Sequence, residues 1–109
     1  FIAALSGGFT VLENSPLGHL SEMGYFMLRE FWGKGYATEA ARAVLGFAFQ
    51  MTDCHKMLIG CNAENTESEK VIIKLGARKE AHHVSHQYLD GRWCDRVVYG
   101  LIKGDNYDA

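Results

Sequence analysis

Proline is almost absent from this 109-residue chain: only Pro16, in a loop-like Asn14-Ser15-Pro16-Leu17-Gly18, interrupts it. No run of apolar residues is long enough to cross a bilayer. The opening FIAAL lacks a basic lead-in and a cleavage pattern, so it does not read as a signal peptide. Charge of one sign is missing too. Eleven basic and thirteen acidic residues leave a net charge of −2, without the basic excess that nucleic acid would need. Cys54, Cys61 and Cys94 are few, odd in number and widely spaced, with no C-x-x-C pair. They read as reduced thiols of a cytoplasmic protein, not as a disulfide framework. No internal repeat, low-complexity tail or linker is visible.

What is present suits one domain with one core over residues 1–109: 48% hydrophobic and 12% aromatic residues. The chain begins at Phe1, inside a run that reads as a strand, so it reads as part of something longer. FIAAL ends at a turn expected at Ser6-Gly7-Gly8. Phe9–Glu13 reads as a second strand and Leu20–Leu28 as a third, with Gly24 marking a bulge or a close backbone approach. Ala37, Ala40, Ala41, Val44, Leu45, Ala48 and Met51 recur at helical spacing, and Asp53-Cys54-His55 ends that helix. Lys56–Cys61 is a strand. A second helix opens at Asn65 or Thr66, with Thr66-x-x-Glu69 fitting a capping box. Its stripe is Val71, Ile72 and Leu75, and Gly76 stops it.

Arg78–Leu89 and Arg92–Ile102 flank Asp90-Gly91, a type I′ hairpin signal. A regular hairpin sets Tyr88 opposite Trp93, His86 opposite Asp95 and Val84 opposite Val97, all on one face. His82 and His86 then share a face about 13 Å apart, with His83 on the other, so no metal chelate is expected.

The unusual stretch is "FWGKGYATEA". Glycine costs about 1 kcal/mol against alanine within a helix, yet Gly33 and Gly35 stand where this one opens. Unpaired N–H groups and the positive end of the helix dipole make such a start an anion site, with Lys34 adding charge. The dinucleotide fingerprint fails, since Thr38 stands where it needs glycine, and the P-loop pattern fails as well.

Trp32-Gly33-Lys34-Gly35-Tyr36-Ala37, followed by Asn65, Ser68 and Lys74-Leu75-Gly76, resembles the GNAT superfamily of acyl-CoA-dependent N-acetyltransferases. The likeness is to the branch of ribosomal-protein and spermidine acetyltransferases. Trp32 departs from the usual first position of the pyrophosphate loop, and Ala77 replaces the usual aromatic. The resemblance implies an α/β (α+β) fold with a mixed, mostly antiparallel sheet, splayed central strands, two main helices and a C-terminal β-hairpin. It implies acetyl-CoA as co-substrate, with Tyr25, Phe26 and Met27 along the pantetheine arm, Trp32 to Ala37 around the diphosphate, and Asn65 on the pantetheine amides or capping its helix. It implies a primary amine as acceptor: a protein N-terminus, a polyamine or a small amine.

Within that scheme Glu22, ten residues before Trp32, is the candidate base, with His19 as a weaker alternative. Some relatives carry a tyrosine acid seven residues past the Asn; Ile72 stands there, leaving Ser68 as the hydrogen-bond donor to the thiolate. Cys61 reads as core. A homodimer is expected from an apolar first strand. The competing readings are a CoA-binding or dimer-forming module without catalysis, and a regulator that senses another nucleotide.

Overall fold

A computed structural model describes residues 5–27 and 35–105. Its strands are β1 (Leu5–Ser15), β2 (Gly18–Met27), β3 (Cys54–Asn62), β4 (Arg78–Leu89) and β5 (Arg92–Ile102). The helices are α1 (Tyr36–Met51), between β2 and β3, and α2 (Thr66–Lys74), between β3 and β4. The five strands form one sheet in the order β1-β2-β3-β5-β4. Among neighbouring strands only β2 and β3 run parallel, a pairing that needs the crossover α1 supplies; the other neighbours are antiparallel.

One face of the sheet carries the core. Met23, Met57, Ile59, Cys61, Val97, Tyr99 and Leu101 alternate along β2, β3 and β5 and point to that face. Ala41, Leu45, Ala48 and Phe49 of α1 meet them, as do Ile72 of α2 and Leu75 at its C-terminal cap. Burying each of the larger side chains stabilises the fold by about 1.5–3 kcal/mol. Met51, the last member of the expected helical stripe, is 72% exposed, and Phe49 is buried instead.

The first expected turn does not form. Ser6-Gly7-Gly8 continues through β1, paired with Phe26, Tyr25 and Gly24, so the two expected opening strands join into one over the described residues. Pairing to β2 satisfies the backbone there and overrides the turn preference of the glycines. Gly24 sits in regular register, and the bulge falls between Val11 and Glu13. The first helix ends at Met51, and Cys54-His55 already belongs to β3. Asn65, not Thr66, caps α2: its side chain accepts from the Ser68 N–H at 3.1 Å. Gly76 follows the helix at φ 83°, where glycine is favoured.

The hairpin turn is as its sequence dictates, with Asp90 at φ 51° and Gly91 at φ 80°. Tyr88 opposes Trp93, edge to face at 5.6 Å. Beyond Gln87 the expected register fails: three residues of β4 lie between His83↔Arg96 and Gln87↔Cys94, against one of β5. Asp95 holds this bulge. Its Oδ1 accepts the Ser85 N–H at 2.9 Å, where Ser85 takes φ 47°, and its Oδ2 lies 2.8 Å from His82 Nε2. His82 rather than His86 is thus the partner of Asp95, and His82 rather than Val84 opposes Val97. The bulge also stacks His83 on His86, ring centres 4.6 Å apart, where a regular strand would have separated them. The three cysteines are buried free thiols. No helix among the described residues is long and apolar enough to cross a membrane.

Candidate active site

Where two parallel strands part, their facing backbone groups are freed. The β2–β3 pairing runs from His19↔Cys54 to Met23↔Ile59 and goes no further. Past that point β2 stays with β1 through Tyr25↔Gly7, Phe26↔Ser6 and Met27↔Leu5. β3 stays with β5 through Gly60↔Val98, Cys61↔Val97 and Asn62↔Arg96. The sheet forks here, between Gly24 and Gly60. An extended, amide-bearing ligand entering the fork would find strand edges on both sides. The backbone of Tyr25, Phe26 and Met27, paired to β1, runs along one side of the fork.

The N-terminus of α1 supplies the second part. Gly35 is its N-cap, at φ 78° and ψ 0°, and no side chain caps the helix. An added Cβ at Gly35 would meet nothing within 4 Å, so the backbone angle, not space, favours glycine there. In the first turn Ala37 is half-buried and Thr38 7% exposed, while Glu39 is acidic and exposed; Ala41, in the next turn, is 4% exposed. Tyr36 opens the helix. Trp32, Gly33 and Lys34, the remainder of the expected anion loop, lie outside the described residues.

The β3–α2 connection supplies the third. Asn62 Oδ1 accepts the Glu64 N–H at 2.8 Å, the Asn65 N–H donates to the Asn62 carbonyl at 2.9 Å, and Asn65 then caps α2. These turns set Ser68 over the end of β3, where its side chain hydrogen-bonds the Cys61 thiol. Burial raises the Cys61 pKa, and the Ser68 bond opposes that shift. One turn of α2 is tied down from the sheet: Tyr99 Oη donates to Glu69 Oε2 at 2.6 Å. That bond, with burial, pushes the Tyr99 pKa up to about 12. Glu69 is therefore held by β5 instead of closing a capping box with Thr66. The alternation of β5, which buries Tyr99, was visible in sequence; its partner was not.

Glu22 and His19 part company. Met23 faces the helices, so Glu22 points to the opposite face of β2, half-buried, one step before the fork. His19 stands at the other end of the β2–β3 pairing, against Cys54, and is 8% exposed. Its Nδ1 lies 2.7 Å from Ser21 Oγ and its Nε2 3.3 Å from Thr52 Oγ1. The Thr52 hydroxyl donates its one hydrogen to the Ala48 carbonyl, so Nε2 is the donor in the second contact. His19 is a buried brace between β2 and the end of α1, stacked on Phe9, and is withdrawn as a base.

The face that carries Glu22 also carries Lys56, Leu58, Gly60, Arg96, Val98 and Gly100 by strand alternation. Two glycines there are sites of close approach. A Cβ on Gly60 would lie 2.7 Å from Arg96 Nη2 and 2.9 Å from Cζ, so the guanidinium rests on the bare backbone beside the fork. Gly100 likewise leaves room for the ion pair of Lys56 and Glu80, 2.8 Å apart.

A forked parallel pair, a glycine-started helix behind it and an Asn-capped helix beside it coincide with a family match. The family model for the acetyltransferase (GNAT) domain matches residues 4–78. The chain belongs to the GNAT acetyltransferase family. Among relatives of this GNAT domain is the uncharacterized N-acetyltransferase YnaD of Bacillus subtilis, 31% identical over 85 residues, which are 78% of this chain and 50% of that protein. The chain thus spans about half the length of that curated relative. The structure of ribosomal-protein-S5-alanine acetyltransferase from Vibrio fischeri matches 94% of the chain, and 56% of its own, with a TM-score of 0.85 at 23% identity. RimL, a ribosomal L7/L12 α-N-protein acetyltransferase solved with coenzyme A, matches 76% of the chain and 47% of its own, with a TM-score of 0.72 at 23% identity.

Proposed function

We propose that this GNAT domain transfers an acetyl group from acetyl-CoA to a primary amine by direct attack. The observation that carries the reading is the open β2–β3 fork, found in one domain with a helix start whose amides no side chain caps. The chain's residues fit that co-substrate. The first turn of α1 at Gly35, Tyr36 and Ala37, with Trp32, Gly33 and Lys34 of the sequence before it, would hold the diphosphate. The backbone of Tyr25, Phe26 and Met27 would pair with the pantetheine amides, and Asn65 would keep its capping role beside them. The thioester supplies an acetyl group already activated toward amines.

The protein's own work is then positioning and proton transfer. Two strand edges and the α1 terminus hold one reactant, and the amine is brought in from the face that carries Glu22. Positioning of this kind supplies several kcal/mol. Strand N–H groups near Met27 stabilise negative charge on the acyl oxygen. Glu22 takes the amine proton, directly or through water. Ser68 donates to the departing sulfur after exchanging its bond to Cys61.

Calorimetric titration with CoA tests the binding, and thiol release from acetyl-CoA over a panel of amines tests the turnover. A Glu22→Gln variant should lower kcat by about 10²–10⁴-fold and remove the acid limb of the pH–rate profile, with CoA affinity kept. An unchanged profile removes Glu22 from the mechanism. The second reading, a CoA-binding module without turnover, draws on the engagement of Ser68 by Cys61 and on Ile72 in the place of an acid. CoA binding with no thiol release for any amine would favour it.

A further inference from the structure

The acceptor face holds a charge whose use the reaction does not explain. Arg78 is paired with Asp105 at 3.1 Å and Arg92 with Glu64 at 2.7 Å. Lys56, on the same face as Arg96, is paired with Glu80. Arg96 makes no ion pair among the described residues. Its one hydrogen bond to a side chain there, Nη1 to Gln87 Oε1, is 3.5 Å long, beyond the usual range. The guanidinium lies on Gly60, one residue past the last β2–β3 pair, and any side chain at that position would displace it. The cross-strand neighbours of Arg96 are Asn62 and His83, with His86 stacked on His83, and none of these three side chains carries negative charge. A guanidinium that is half-buried and short of partners is a ready receptor for a carboxylate.

Its distance from Glu22 sets what the carboxylate belongs to. Glu22 is in register with Leu58, two residues before Gly60. Strand spacing of about 4.8 Å and a rise of about 3.3 Å per residue put Glu22 about 8 Å from Gly60, backbone to backbone. Two residues of extended chain span about 7 Å. We propose that Arg96 is a specificity-determining residue that selects peptide N-termini with an acidic side chain at the second or third position, and disfavours polyamines. The negative Glu22 end receives the amine and the positive Arg96 end receives the carboxylate. A polyamine carries a second cation to where Arg96 stands. This inference rests on the acetyl-transfer reading and adds the acceptor class.

The test uses the full chain with acetyl-CoA and three acceptors: Ser-Ala-Glu-Ala-amide, Ser-Ala-Lys-Ala-amide and spermidine. Thiol release should give a kcat/KM for the acidic peptide at least about tenfold above either alternative, as a charged hydrogen bond implies. Arg96→Glu should reverse the ratio of acidic to basic peptide, mainly through KM, whereas Arg96→Lys should retain its direction. Gly60→Ala moves the guanidinium without changing any charge, and should shrink the ratio severalfold. Equal use of the two peptides by the wild type, or an unchanged ratio in Arg96→Glu, overturns the proposal. Should no acceptor release thiol, the transfer reading fails, and calorimetry of the acidic peptide on CoA-saturated protein decides the Arg96 site separately. Binding lost in Arg96→Glu upholds it; binding equal in both, or absent from the wild type, overturns it.

Discussion

Replacing Gly35 with alanine isolates the backbone angle at the start of α1. Gly35 stands at φ 78°, ψ 0°. For a residue with a Cβ, the left-handed region costs roughly 1–2 kcal/mol. The added methyl would touch nothing within 4 Å, so no clash confuses the result. The cost then surfaces in one of two ways. If alanine holds the left-handed angle, the free energy of unfolding drops by about 1–2 kcal/mol. If alanine relaxes, the first turn of α1 rotates away from its working geometry. Stability is then kept, and the same energy must be returned when the diphosphate binds. That weakens CoA binding by about 5- to 30-fold. Urea unfolding and calorimetric CoA titration on the same preparation measure both. Gly35→Asn should show a smaller sum of the two losses, because asparagine visits this region more readily. A Gly35→Ala protein with unchanged unfolding free energy and unchanged CoA affinity would refute the role given to this angle.

Two further perturbations address the supports of the site. Tyr99→Phe removes the bond that ties α2 to β5 and leaves the Glu69 carboxylate, among the described residues, with Lys79 Nζ at 4.0 Å. It should cost about 1–3 kcal/mol in urea unfolding and raise amide exchange in the first turn of α2 more than in β4. Asp95 is held below the ordinary carboxylate range, first by His82 and then by the Ser85 N–H. Its contribution to stability is therefore present above the unfolded-state pKa and lost as pH falls through the lower folded-state value. Ser85 amide exchange, corrected for intrinsic rate, should rise across that acid window, and Asp95→Asn should remove the pH dependence.

Local chemistry was legible in the sequence, and contacts across strands were not. Asp90-Gly91 sets its own turn, Gly76 its own helix stop, and the three- and four-residue spacing of Ala41, Leu45 and Ala48 its own buried stripe. Each of these is decided within a few residues. The bulge at Ser85 depends on Asp95 of the neighbouring strand, so counting outward from the turn misplaced His86 and Val84. Gly7 and Gly8 looked like a turn because nothing local showed that β2 would pair with them. His19 looked available because its partners, Ser21 and Thr52, are distributed between a strand and a helix end. The fork was legible only through the family resemblance, and Arg96 was not legible at all. Its meaning comes from Gly60, 36 positions away in the chain.

The two bare backbone positions on the acceptor face have an evolutionary corollary. A side chain at position 60 must either push the Arg96 guanidinium aside or meet a shorter residue at position 96. Position 100 can take one only if Lys56 and Glu80 shrink or part. Substitutions should therefore arrive in linked sets across β3, β4 and β5 as the family diverges. A lineage that fills position 60 would be one whose acceptor no longer brings an acid.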